Sequence, residues 1–305
     1  MWGVIDIGSN TLRLAVYLLE GGQLQPMLNK KYFAGLAGYV EEDGRMSSAG
    51  IRRAVEILRS LKRLAASIGL TELFPFATAS LRNISNTEEV LEAIREECGL
   101  TVRVLSGQEE AIFDYHGAVR SVNLDRGLLV DVGGGSTELV FYRDRETVVA
   151  ESIPVGSLNL FQKYVSGLLP EKRELKKIRR DIMERLAHIP LAEGLSFETV
   201  CGVGGSARGT QNLINSLNGW PEPTSRYACE RLKEVTDLLG SDPKRLSRQI
   251  LKIAPERIHT LLPGIAVLRA VTDCYGSRTV LTSRYGVREG YLFHILEERG
   301  IWDAY

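Results

Sequence analysis

Asp131-Val132-Gly133-Gly134-Gly135-Ser136-Thr137-Glu138 ends one short apolar run, Leu128 to Val132, and opens another, Glu138 to Tyr142. Two such runs joined by a glycine-rich segment predict two strands and a tight turn. Asp144-Arg145 marks a second turn, and Thr147 to Ile153 a third strand. The chain opens on the same series. Gly3 to Ile7 runs into Asp6-Ile7-Gly8-Ser9-Asn10-Thr11, then Leu12 to Leu18, the turn Gly21-Gly22, and Leu24 to Asn29. Repetition of strand, Asp-x-Gly turn, strand, turn, strand predicts an internal duplication and an α/β chain of two halves. The polar stretch Asn123 to Arg126 places the boundary, giving residues 1–124 and 125–305, with the last helix a candidate to pack back on the first half.

Between these landmarks the sequence alternates helices and strands. Ser47-Ser48 caps a helix with apolar positions at Ile51, Val55, Leu58, Leu61 and Ile68, and Gly69 stops it. Leu73 to Ala77 reads as a strand, Asn86 with Glu89 as the start of a helix ending near Gly99, Thr101 to Leu105 as a strand, and Gln108 to Val122 as a helix. In the second half, helices are expected at 156–165, 170–187, 206–216, 225–239, 255–275 and 288–299, and strands at 199–203 and 279–282.

Composition narrows the function. A length of 305 residues suits two domains. Hydrophobic residues at 44% and charged residues at 25% exclude a disordered or fibrous chain. Lys+Arg and Asp+Glu are both 38, so no global field draws the protein to nucleic acid or to an anionic membrane. Apolar stretches are too short to span a bilayer, and the start, Met1-Trp2-Gly3-Val4, lacks the pattern of a secretory signal. Cys98, Cys201, Cys229 and Cys274 lie far apart, which speaks against disulfides or zinc and for a reducing cytoplasm. His116, His188, His259 and His294 form no metal-binding spacing.

The two Asp-led turns carry the chemistry. Glycine lets the backbone approach a ligand closely, and successive N–H groups hold an anion. Serine and threonine hydroxyls add donors. An aspartate repels phosphate, so Asp6 and Asp131 are suited to hold a divalent cation or its waters. One such turn on each of two facing halves would clamp a phosphate across a cleft. Gly202-Val203-Gly204-Gly205-Ser206-Ala207 opens a helix and is a third anion-friendly turn. Glu109 and Glu110 stand at a strand-to-helix junction. A glutamate there can cap the helix or activate a water. Arg82, after a strand and a Thr-Ala-Ser turn, can bind phosphate oxygens bidentately. Lys172, Arg173, Lys176, Lys177, Arg179 and Arg180 alternate with acids, as on a solvated helix face; the other reading is a rail for a polyanion.

These motifs resemble those of the exopolyphosphatase / guanosine pentaphosphate phosphohydrolase family, within the actin-like ATPase superfamily. The resemblance extends through Ala77-Thr78-Ala79-Ser80-Leu81-Arg82, Ser106-Gly107-Gln108-Glu109-Glu110-Ala111, Arg257 to Gly264, and Gly286-Val287-Arg288-Glu289-Gly290. It implies two ribonuclease H-like domains with a cleft between them. It implies a hydrolase that releases terminal phosphate from inorganic polyphosphate, converts pppGpp to ppGpp, or does both. Glu110 matches the catalytic glutamate and Arg82 the strand-end arginine. Gly8, Ser9, Asn10, Thr11, Gly133, Gly134, Gly135, Ser136 and Thr137 would cradle phosphate, joined by Gly204, Gly205 and Ser206. Asp6, Glu110, Asp131 and Glu138 would organise Mg2+, or Mn2+ in its place. Ser206-Ala207-Arg208-Gly209-Thr210 departs from the family's Ser-Gly-Thr signature, which leaves that loop's role open, and the resemblance is to the short form of the family, so nothing that belongs to the extra C-terminal region of larger members is expected here. The expected partners are polyphosphate or pppGpp and a second copy of the chain, with neither nucleic acid nor membrane. An actin-like kinase or ATPase, and a non-catalytic (p)ppGpp sensor, are the alternatives that these residues leave open.

Overall fold

The computed structural model describes residues 1–70, 72–189, 196–220 and 224–302. They form two compact units, one of Met1–Phe113 with the chain from Val287 on, the other of Asp114–Gly286. The division falls between residues 113 and 114, inside a helix, and not at the polar stretch 123–126. A continuous helix carries the chain from one unit to the next, so no composition break marks the passage.

The first unit begins with β1 (Trp2–Ile7), β2 (Thr11–Glu20) and β3 (Gln23–Phe33), then α1 (Ser48–Ser67), β4 (Glu72–Ala77), the short α2 (Ala79–Arg82), α3 (Thr87–Cys98) and β5 (Arg103–Val104). Helix α4 (Gly107–Ala118) follows. The sheet order is β3-β2-β1-β4-β5. The first three strands pair antiparallel; β4 and β5 join parallel. Ile5, Ile7, Leu12, Leu14 and Val16 meet Leu58 and Leu61 of α1 and Val90 and Ile94 of α3 in one apolar core. Ser47 caps α1 by accepting the Gly50 N–H at 3.3 Å, and Gly69 follows the helix at φ 69°. Asn86 holds the N-cap position of α3 without capping it. Its side chain instead accepts from Met46 N–H at 2.8 Å and donates to Met46 O at 3.1 Å, tying a loop down.

The second unit repeats the plan with β6 (Arg126–Val132), β7 (Thr137–Arg143), β8 (Glu146–Ile153), α5 (Ser157–Tyr164), α6 (Lys172–Leu186), β9 (Thr199–Val203) and α7 (Gly204–Asn218). It continues with β10 (Arg226–Ala228), α8 (Glu230–Ser241), α9 (Pro243–Ile253), α10 (Leu261–Cys274) and β11 (Thr279–Thr282), and α11 (Val287–Glu298) returns to the first unit. The sheet order is β10-β11-β9-β6-β7-β8. Without β10 it is the first sheet again, three antiparallel strands and then two parallel ones. Each unit therefore has the ribonuclease H-like topology of the actin-like fold. Helix α10 is apolar nearly all round, with Leu262, Ile265, Val267, Leu268 and Val271 buried in the core. Truncating Leu268 to alanine there costs about 2–5 kcal/mol.

Three local expectations are corrected. The helix expected at 225–239 starts later, because Arg226–Ala228 alternates exposed, buried, exposed and pairs with β11. Helix α9 was not expected, although its start signal is legible: Asp242 accepts the Arg245 N–H at 2.9 Å and Pro243 occupies the first turn. The helix expected at 255–275 is interrupted after a 3-10 turn, Pro255–Arg257. The helix resumes at Leu261, which puts Pro263 in the first turn, where a missing N–H loses no bond. Among the described residues no helix is long and apolar enough to cross a membrane.

Candidate active site

In the first unit, β1 delivers Asp6 to the loop that leads into β2. Gly8 N–H closes the turn on Thr11 O at 3.0 Å. The carbonyls of Ser9 and Asn10 accept from Ala37 N–H, and from Ala34 and Gly35 N–H, all at 3.0 Å. Asp6 lies directly across the ladder from Arg13, so both side chains share a face of the sheet. Arg288, from the first turn of α11, brings its Nε to 3.9 Å from Asp6 Oδ2. Burial pushes the Asp6 carboxyl above its ordinary range; Arg288 and then Arg13 oppose that rise, and Glu289 adds to it.

At the ends of β4 and β5 the two glutamates part ways. Glu109 closes a capping box: its carboxylate accepts Ser106 N–H at 2.8 Å, and Ser106 Oγ accepts Glu109 N–H at 3.1 Å. Arg103 also donates to Glu109 at 2.6 Å. Burial pulls Glu109 upward, but the bonds from Ser106 and Arg103 outweigh it and hold its carboxyl below the ordinary value. Glu110, one residue on, turns the other way. It is buried, and Arg82 Nη1 donates to its Oε2 at 2.7 Å while also donating to Leu105 O at 3.0 Å. Arg82 and Glu110 thus form one preorganised pair of a cation and a carboxylate.

In the second unit the loop from Gly133 to Ser136 is held from behind by α5. Ser157 N–H donates to Gly133 O at 2.8 Å, Leu158 N–H to Gly134 O at 2.9 Å, and Asn159 Nδ2 to Gly135 O at 2.9 Å. A trans peptide sets its N–H opposite its C=O. With three carbonyls turned to α5, the N–H groups of Gly134, Gly135 and Ser136 therefore point away from it, as an anion nest requires. Gly156 allows this packing, since a Cβ there would collide with the Gly134 carbonyl.

Asp131 pairs across β6 and β7 with Glu138, and Glu138 pairs in turn with Ser152 on β8. The three side chains share one face, and Ser152 Oγ donates to Glu138 at 2.8 Å. Asp131 also sits at the start of α7. Gly204, at φ 75°, has no room for a Cβ beside the Asp131 carboxylate. The favourable potential of that helix N-terminus is thus spent in part on a residue of the protein itself. The Arg257 guanidinium lies over Gly205; burial pushes its pKa down, against the pull of Glu256 and Asp131. Arg257 was not singled out as a site residue. A lone arginine before a helix carries no local signal, and only the fold brings it to the loop.

Two hydroxyls expected at phosphate bond to backbone. Thr137 Oγ1 donates to Val155 O at 2.5 Å, and Ser206 Oγ to Val132 O at 2.8 Å. The Ser206 contact recurs in the first unit, where Ser80 Oγ donates to Ile7 O. The basic stretch 172–180 lies on α6 and is laced with ion pairs, among them Arg179 with Asp273 at 2.7 Å and Arg173 with Glu171 at 2.8 Å. Among the described residues no three acidic, histidine or cysteine side chains gather as a metal cluster. The Asp131 and Glu138 pair still fits magnesium, which takes one or two protein carboxylates and fills its octahedron with water and phosphate oxygens.

Two ribonuclease H-like units, each with an aspartate-led glycine loop after its first strand, place the chain in the actin-like class of phosphoryl-transfer folds. The pattern of the Ppx/GppA phosphatase family matches residues 15–299, and the chain belongs to that family. It is 31% identical over 302 residues to exopolyphosphatase 1 of Mycobacterium tuberculosis, covering 97% of this chain and 88% of that protein. Its structure is similar to that of the Aquifex aeolicus member of the Ppx/GppA family, at a TM-score of 0.79 and 25% identity over 97% of this chain and 98% of that one. It also shares the fold of an exopolyphosphatase from Cytophaga hutchinsonii, at a TM-score of 0.85 and 19% identity, over 99% of both chains.

Proposed function

We propose that the protein is a magnesium-dependent exopolyphosphatase that releases terminal phosphate from inorganic polyphosphate, and that the same site hydrolyses pppGpp to ppGpp, since both substrates end in the same phosphoanhydride. The observation that carries this reading is the Arg82–Glu110 pair, with Glu109 withdrawn into the helix cap. A buried carboxylate held by a guanidinium keeps a fixed direction, and a water hydrogen-bonded to it is oriented for in-line attack. A guanidinium such as that of Arg82 is suited to meet the charge on the transferred phosphoryl oxygens.

The amides of Gly134, Gly135 and Ser136 form a phosphate-binding nest in the second unit, and the Gly8-Ser9-Asn10-Thr11 loop is the corresponding phosphate loop of the first. Asp131 and Glu138 would hold Mg2+, which when bound would offset charge on phosphate oxygens. Asp6 orients water at the loop of the first unit. Gly204 makes room for the Asp131 carboxylate and Gly205 for the Arg257 guanidinium, and Thr137 and Ser206 keep the loop in shape. The relative in Mycobacterium tuberculosis is an exopolyphosphatase, which supports polyphosphate as substrate.

Phosphate release is to be measured side by side on long polyphosphate, short polyphosphate and pppGpp, with and without Mg2+. Wild-type protein releases phosphate from at least one of them only with the metal. Glu110→Gln lowers kcat by about 10²–10⁴-fold, the usual worth of a positioned acid–base group. Undiminished release by that variant would overturn the mechanism.

A further inference from the structure

The first turn of α11 carries Arg288 and Glu289, both buried at 8% and 5% exposure. Ionised side chains are rarely buried so far without a partner that repays desolvation. Arg288 faces Asp6 at 3.9 Å. Glu289 accepts a hydrogen bond from the hydroxyl of Tyr17, 272 positions earlier on β2. Burial and the neighbouring Glu289 push the Tyr17 phenol well above its ordinary pKa, so it stays a donor. β2 is also the strand that leaves the Gly8–Thr11 loop, and its Arg13 is the ladder partner of Asp6. The Tyr17–Glu289 bond and the Arg288–Asp6 pair therefore tie the first turn of α11 both to β2 and to the head of the loop.

We propose that Arg288 is a positioning residue: paired with Asp6, and braced by the Glu289–Tyr17 bond, it fixes the Asp6 carboxylate and with it the geometry of the Gly8–Thr11 loop. The proposal rests on the reading of that loop as phosphate-binding, and it assigns to α11 a task that the loop's own sequence does not reveal. Arg288 touches no reacting atom in this scheme; it acts through Asp6.

The test uses the full chain and two readouts, amide hydrogen exchange at residues 8–11 and steady-state phosphate release. Arg288→Met speeds exchange at those amides by about tenfold or more, with residues 133–137 unchanged. It also lowers kcat by about 10²-fold with little change in KM, as a misplacement of the site does. Arg288→Lys recovers most of both. In an Asp6→Asn background the further change Arg288→Met leaves exchange unaltered, because the two residues act as one unit. Unchanged exchange in Arg288→Met, or additive effects in the double variant, would overturn the proposal. If wild-type protein releases no phosphate from polyphosphate or pppGpp, the functional reading falls, and the exchange arms still decide the positioning role. Should Arg288→Met fail to fold, Tyr17→Phe carries the test: faster exchange at residues 8–11 supports the bracing of Arg288, and unchanged exchange sinks it.

Discussion

The loops after β1 and β6 share a backbone and differ in charge. Each follows the first strand of a three-strand meander, and each is closed by a glycine N–H on the carbonyl three residues ahead, Thr11 in one and Ser136 in the other, at 3.0 Å. Across the ladder, Asp6 meets Arg13, whereas Asp131 meets Glu138. Arg288 adds a second cation near Asp6. The supports differ too: amides at residues 34, 35 and 37 hold the first loop, and the N-terminus of α5 holds the second. Duplication preserved the hydrogen-bonded frame, since changing it disturbs the whole sheet. A side chain at a strand end could change sign freely, and the two copies came to differ: one aspartate faces a glutamate, the other faces arginines.

The contrast breaks most readily at the metal. Asp131→Asn and Glu138→Gln raise the Mg2+ needed for half-maximal phosphate release by about 10–100-fold, the order expected on weakening a metal's shell. Asp6→Asn lowers activity with little change in that requirement. Equal shifts from both loops would erase the division of labour. A smaller effect separates the supports. Gly156→Val drives a side chain into the Gly134 carbonyl and destabilises the second unit by about 1–3 kcal/mol, read from the urea midpoint. Smaller still is Glu109→Ala, which removes a cap contact worth about 1 kcal/mol and leaves kcat within about tenfold of wild type. A larger loss would mean that Glu109, not only Glu110, serves the reaction.

The last prediction concerns acid. On α6 and within the second unit, burial pulls Asp181 upward, but Lys163, Tyr164 and Arg185 outweigh it and hold its pKa at about 2. A lowered folded-state pKa gives stability that is complete above the unfolded value of 3.8 and fades as pH falls through about 2. Asp181→Asn should therefore lower Tm at neutral pH and converge with wild type near the bottom of that window. Asp6 has the opposite sign. Its raised pKa makes the carboxylate cost stability as pH rises past 3.8, so Asp6→Asn should flatten the fall of Tm with pH above that value. A parallel pH course for the two variants would show that the two environments do not differ.

Much of this site was legible in the chain. Asp6, Asp131 and their glycines announce strand–turn–strand loops because glycine, aspartate and serine have local reasons to be there. The strands Leu128 to Val132 and Glu138 to Tyr142 follow from short apolar runs. The caps at Ser47 and Gly69 follow from hydrogen bonds made within a few residues. Even the choice between Glu109 and Glu110 was half visible, since consecutive helical residues cannot face one way, and the capping box claims the residue three past Ser106.

What the sequence by itself determined is thus local: period, turn chemistry, caps and the duplicated pattern, each set by interactions between near neighbours in the chain. Tertiary structure alone decided the rest. It laid Arg257 over Gly205, set Asp131 at the start of α7, turned the hydroxyls of Thr137 and Ser206 to backbone carbonyls, and brought Arg288 to Asp6 from the other end of the chain. The charge that a carboxylate faces depends on which strands pair and which helix returns to cover them, and no window of neighbouring residues contains that information.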